Sequence, residues 1–122
     1  MTGEECIRAW FRCWLKRDAA LIPQLFAENA LYSECYGPEY HGLAQIERWF
    51  TDWNREGCVQ EWTIQRMLRQ GDGFAVEWFF RYEYRGAAGS FDGVSLVFFD
   101  QAGRICELRE FKSESRHFYP YE

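Results

Sequence analysis

The stretch Leu25-Phe26-Ala27-Glu28-Asn29-Ala30-Leu31-Tyr32-Ser33-Glu34-Cys35-Tyr36-Gly37-Pro38-Glu39-Tyr40-His41-Gly42-Leu43-Ala44-Gln45-Ile46 decides how this chain is read. It reads as a helix end, one strand over 30–36, a Gly37-Pro38 break and the start of another helix. In that strand Tyr32, Glu34 and Tyr36 alternate onto one face. A carboxylate between two phenols on an inward face has two explanations. Either a structural partner neutralises it, or it sits in a cavity and does chemistry. The rest of the chain reads as an enclosure for that face.

Upstream, Thr2-x-x-Glu5 is a capping box, so a helix begins near Gly3. Ile7, Trp10, Phe11, Trp14 and Leu15 recur at helical spacing as one apolar stripe. Asp18 is a candidate N-cap for a short second helix ending near Phe26. Pro23 belongs in a first turn, so this helix starts later than Asp18 or carries an irregular first turn. Downstream, Leu43, Ile46, Trp49, Phe50 and Trp53 mark a third amphipathic helix that Gly57 stops.

The period then changes. Residues 59–69, 74–84, 89–99 and 104–113 read as four long strands joined by Gly-rich, hairpin-like turns, which makes an antiparallel meander. Helices first and strands after is the α+β signature. On 74–84, Val76, Trp78, Phe80, Tyr82 and Tyr84 share one side. The strand 89–99 is apolar on both sides: Val94, Leu96 and Phe98 oppose Ser95, Val97 and Phe99. One apolar face covers the helices; the other implies a partner sheet and a homodimer. Gly93 is expected at a bulge. The aromatic tail 116–122 either closes one end of a pocket or packs on the surface or a partner chain.

The 122 residues suit one domain, 1–122, with a core of its own. Aromatic residues make up 20%, enough to line a pocket as well as fill a core. The net charge of −5, with no basic run, argues against a nucleic-acid partner. Five cysteines without a C-x-x-C pair argue against a disulfide framework or a zinc site and fit a reducing cytoplasm. No apolar run approaches the ~20 residues that cross a bilayer, so no membrane partner is expected. Nothing calls for a cofactor or a metal.

Leu25-Phe26-Ala27-Glu28-Asn29-Ala30, then Gly37, then Gly42 at the third helix, resemble the NTF2-like superfamily, within it the SnoaL-like and ketosteroid-isomerase-like groups. Asp18 and the late run Asp100-Gln101-Ala102-Gly103-Arg104-Ile105 fit the same pattern. The resemblance implies an α+β cone: three N-terminal helices packed on a curved, mainly antiparallel sheet. Its members include isomerases, dehydratases, cyclases, epoxide hydrolases and proteins with no known catalysis. It places Glu34 where ketosteroid isomerase carries its general base. It places Trp10 and Ser95 where that enzyme carries the Tyr and Asp that polarise the substrate carbonyl. An indole N–H and a serine hydroxyl donate hydrogen bonds, but neither is the strong acid that enolate stabilisation uses.

Three residues are candidates for acid–base chemistry. Glu34, desolvated among aromatic rings, would have a carboxyl raised from ~4.3 toward neutrality, which suits a general base. The competing explanation is a carboxylate held by Arg109, Lys112 or a tyrosine hydroxyl. Glu110 faces the same cavity if Leu108 and Lys112 point inward; a slip of one residue would bring Arg109 in instead. His41 ranks third, as a partner for Glu34. Trp10, Trp14, Tyr32, Tyr36, Trp49, Trp53, Trp78, Tyr82 and Ser95 are the expected ligand-binding residues, lining a pocket for a ringed or isoprenoid-like small molecule. The rival reading is a non-catalytic binding or interaction module whose rings only fill the core.

Overall fold

The computed structural model describes residues 1–114 and 116–122. Helix α1, Gly3–Lys16, opens on the expected capping box. The Thr2 hydroxyl accepts from the Glu5 N–H, and the Glu5 carboxylate accepts from the Thr2 N–H. Arg17, in the left-handed region, closes it. Its buried side is Cys6, Ile7, Ala9, Trp10, Phe11, Cys13 and Trp14; Leu15, expected in the stripe, is 41% exposed because it lies past the stripe's edge. Helix α2 is a single turn, Ile22–Leu25, with Pro23 in its first turn. Asp18 does not cap it; its carboxylate accepts from the Ala20 N–H in the turn before.

Strand β1, Phe26–Ser33, begins and ends earlier than the alternation predicts. The chain turns at Glu34, whose carbonyl accepts from the Gly37 N–H and whose own N–H donates to the Pro38 carbonyl. Strand β2, Glu39–His41, folds back antiparallel on β1, pairing Tyr32 with Tyr40. Helix α3, Leu43–Glu56, follows Gly42 and ends at Gly57. Strands β3 (Gly57–Gln70), β4 (Gly73–Tyr84), β5 (Ala87–Phe99) and β6 (Ile105–Ser113) form the expected meander.

The six strands make one curved, mixed sheet in the order β2-β1-β6-β5-β4-β3, with the three helices on its concave face. All neighbours are antiparallel except β1 and β6, which run parallel and place Tyr32 beside Leu108. That pairing joins the first strand to the last and positions the site.

Gly93 is not at a bulge. The β4–β5 register runs unbroken through Trp78 and Gly93. A Cβ at Gly93 would lie 2.3 Å from the Trp78 ring and 2.6 Å from the Phe111 carbonyl oxygen. Glycine is needed there so that the indole can lie flat across β5. Register shifts fall at Val59/Glu61, Ile64/Arg66 and Phe98/Phe99, and at Phe26/Leu31 in the β1–β6 pair. They help curve the sheet.

No helix is long and apolar enough to cross a membrane among the described residues. In the tail, Phe118, Tyr119 and Tyr121 are exposed, and His117 Nε2 meets Asp92 Oδ2 at 3.0 Å.

Candidate functional site

A cavity of about 650 Å³ opens between α3 and the concave side of β3, β4 and β5. Trp14, Trp49 and Trp53 wall one side; Trp62, Trp78, Phe80, Tyr82 and Phe91 wall the other. Helical spacing puts Trp49 and Trp53 on one face of α3, and strand alternation puts Trp78, Phe80 and Tyr82 on one face of β4. The rings brace one another. Tyr40 stacks on Trp49 at 4.6 Å between centroids, and Phe80 on Tyr82 at 5.3 Å.

Four carboxylates border this cavity; Asp52 and Glu56 pair with arginines, which leaves Glu34 and Glu110. Glu110 comes from β6, where it pairs with Ser95 across the sheet and points to the concave side with Leu108. The Tyr32 hydroxyl donates to Glu110 Oε2, and the Cys35 N–H donates to Oε1 at 3.4 Å. Burial pushes the Glu110 carboxyl up to about 7; the Tyr32 hydrogen bond opposes the rise, and the charge of Glu34 adds to it. Glu34 is raised too, by burial, against the hydrogen bond it accepts from the Tyr40 hydroxyl at 2.8 Å. Burial, and then the nearby Glu110, hold the Tyr32 phenol well above its ordinary value. It stays a neutral donor.

Both carboxylates also border a smaller, polar cleft of about 410 Å³ with Ser33, Glu39, Arg109 and Lys112. They stand between an aromatic cavity and a polar opening. Among the described residues neither joins an ion pair, and their hydrogen-bond partners are all neutral.

Three helices on one curved six-stranded sheet have known counterparts. The family model for the SnoaL-like domain matches residues 7–108. The chain belongs to the SnoaL-like family.

Solved structures agree on the fold. A hypothetical protein from Catenulispora acidiphila with a ketosteroid isomerase-like fold, in complex with trimethylamine, superposes with a TM-score of 0.80 at 21% identity, covering 93% of this chain and 88% of its own. A protein from Mesorhizobium loti described as a SnoaL-like polyketide cyclase gives 0.72 at 22%, covering 91% and 99%. An epoxide hydrolase of M. tuberculosis gives 0.81 at 14%, covering 91% and 82%. At these identities the likeness carries the fold and not the chemistry. No curated protein matches in sequence at a significant level.

Within this SnoaL-like fold the expected site residues separate into two groups. Glu34, Glu110, Trp14, Tyr36, Trp49, Trp53, Trp78 and Tyr82 line the cavity. Trp10, Tyr32, Ser95 and His41 do not. Trp10 is fully buried behind the wall, edge-on to Phe26 at 4.8 Å and to Trp14 at 5.5 Å. Its buried N–H has no hydrogen-bond partner among the described residues. Ser95 is sealed beneath Trp78, whose indole N–H donates to its hydroxyl at 2.9 Å. Tyr32 acts from behind, through Glu110.

His41 points away. In β2 the alternation turns Tyr40 inward and His41 outward, where it meets Glu39 at 3.4 Å in solvent. Tyr40 is the residue the sequence reading passed over. Its signal is the Glu39-Tyr40-His41 alternation, which lies between the Gly37-Pro38 break and the third helix. Burial, and then Glu110, push the Cys35 thiol up to about 12, which disfavours the thiolate a nucleophile needs.

Proposed function

We propose that this SnoaL-like chain binds a small, largely apolar molecule, ringed or isoprenoid-like, in the aromatic cavity and moves a proton on it through Glu34 and Glu110. One observation carries the reading: Glu110, held near 7 by burial, faces the cavity beside a second raised carboxylate. A base works best when its pKa lies near the working pH, and two coupled carboxyls divide acid and base roles. Glu110 takes the base role here in preference to Glu34, because its carboxyl is the one brought close to neutrality. Tyr32 positions it. Glu34, oriented by Tyr40, is the second acid–base group. The polar cleft behind both supports proton exchange with solvent. Tyr36 and Tyr82 line the cavity, and their hydroxyls offer donors to a substrate oxygen. These parts suit isomerisation, dehydration or cyclisation.

A second reading has its own support. Each carboxylate already accepts a hydrogen bond from the chain, so both are held without substrate. On that reading the cavity binds a ligand and does not turn it over.

Native mass spectrometry of the purified protein, then denaturing analysis, identifies a retained small molecule and its chemical class. Turnover of that class by the wild type, lost in Glu110→Gln with binding intact, supports the enzyme. Equal binding with no turnover by either protein selects the binding module.

The same spectrum tests a second proposal. Phe79, Val94, Leu96, Phe98 and Phe111 alternate onto the convex side of the sheet, and Phe98 and Phe111 are 41% and 44% exposed. A second copy of this chain would cover that face. The expected mass is that of a dimer, reduced to a monomer by Leu96→Glu; a wild-type monomer overturns it. All five cysteines are free, which supports a reducing, cytoplasmic compartment.

A further inference from the structure

The cavity has an unusual balance of charge. Among the described residues Glu34, Asp52, Glu56 and Glu110 border it, against the Arg85 guanidinium and, at the edge, the Lys112 ammonium. Two of the acids are compensated at the rim. Asp52 lies 3.8 Å from Arg48 and 3.6 Å from Arg55, and Glu56 lies 2.7 Å from Arg85. The other two, Glu34 and Glu110, meet only the neutral donors described above. Around them the walls are aromatic, and an aromatic face is the negative side of its quadrupole.

The chain already shows what such faces attract. The Lys112 ammonium sits 4.7 Å from the Tyr36 ring centroid and 5.4 Å from that of Phe91, and both rings line the cavity. An anionic ligand would meet two carboxylates and the electron-rich faces. A neutral hydrocarbon would desolvate the carboxylates further and return nothing to them. A cation is favoured by both features at once. Room for about 650 Å³ far exceeds an ammonium head alone, so such a ligand also carries an apolar body.

We propose that the cavity takes an organic cation, a tertiary or quaternary ammonium group on an apolar body, seated against Glu34 and Glu110 within the aromatic walls. This rests on reading the cavity as a ligand site and names the class of ligand. The raised carboxyl of Glu110 agrees with it: burial has left that charge without a positive partner, and the ligand would supply one.

The test is calorimetric titration of the intact protein at pH 8 with benzyltrimethylammonium and with its uncharged carbon isostere, neopentylbenzene. The expected result is binding of the cation about tenfold tighter than the isostere, with the difference abolished in Glu34→Gln/Glu110→Gln. Lys112→Met, which removes a competing ammonium at the cavity edge, is expected to tighten the cation severalfold. It decides the matter if the double variant does not fold. Isostere binding as tight as the cation overturns the cationic ligand while leaving the cavity a ligand site. Failure of both probes overturns the two readings together. Cation affinity that is unchanged or weakened in Lys112→Met also counts against the proposal.

Discussion

Between β4 and β5 Trp78 donates its indole N–H to Ser95, and both side chains are sealed from solvent. Where β2 folds back on β1, Tyr40 donates a hydroxyl to Glu34, which faces the cavity. Both regions are aromatic walls around a polar group. The difference lies in what is left over. One indole hydrogen meets one hydroxyl oxygen, and the donor is satisfied. A carboxylate has about four acceptor sites, and the chain fills only one or two on Glu34 and Glu110. The Trp78–Ser95 pair is finished as core, whereas the two carboxylates keep unused capacity for hydrogen bonds and for charge. Aromatic content alone does not tell core from site; between these two regions, the acceptor capacity left on the carboxylates does.

The comparison can be broken at several points. Trp10→Ala should act as a core truncation and cost about 3–5 kcal/mol, seen as a lower urea midpoint. A loss of ligand affinity with stability unchanged would move Trp10 from the core to the site. Next in size is the pH dependence of Glu110. Its carboxyl is raised from 4.5 to about 7 in the folded state, so the unfolded chain gives up its proton first as pH rises. Stability is therefore lost across that window and stays lower above it, by on the order of 3 kcal/mol. Glu110→Gln should flatten most of the decline and exceed the wild type at pH 8. An unchanged slope in urea titrations from pH 4.5 to 8 would show that Glu110 is not desolvated.

Ser95→Ala should leave the Trp78 N–H buried without an acceptor and cost about 1–3 kcal/mol, with ligand binding unaffected. A neutral result would mean that the Trp78–Ser95 pair is not sealed. The smallest effect belongs to His41→Ala. On an exposed, outward position it should stay within ~0.5 kcal/mol of wild type and leave any turnover intact. A lost activity would return His41 to the site.

Much of the architecture was legible in the residues, and for local reasons. The Thr2–Glu5 box, the stripes of α1 and α3 and the glycine turns of the meander act over a few residues, so they show directly in the string. The misreadings came where the decision was not local. Strand alternation carried through Glu34 to Tyr36 on paper, yet the chain turns at Glu34 because β2 must fold back to pair Tyr40 with Tyr32. Gly93 looked like a bulge, and only the Trp78 ring lying across it explains the glycine.

The sequence by itself determined the element types, the four-stranded meander and the presence of aromatic faces with a few carboxylates among them, because period and turn chemistry are properties of neighbouring residues. The tertiary structure decided which of those residues form a site. Tyr32 and Glu110 are 78 positions apart and meet only because β1 runs parallel to β6. Trp10 and Trp78 have the same side chain, yet one lies behind the wall and the other in it. That outcome depends on sheet curvature and on which distant strands pair, and no short stretch of residues encodes it.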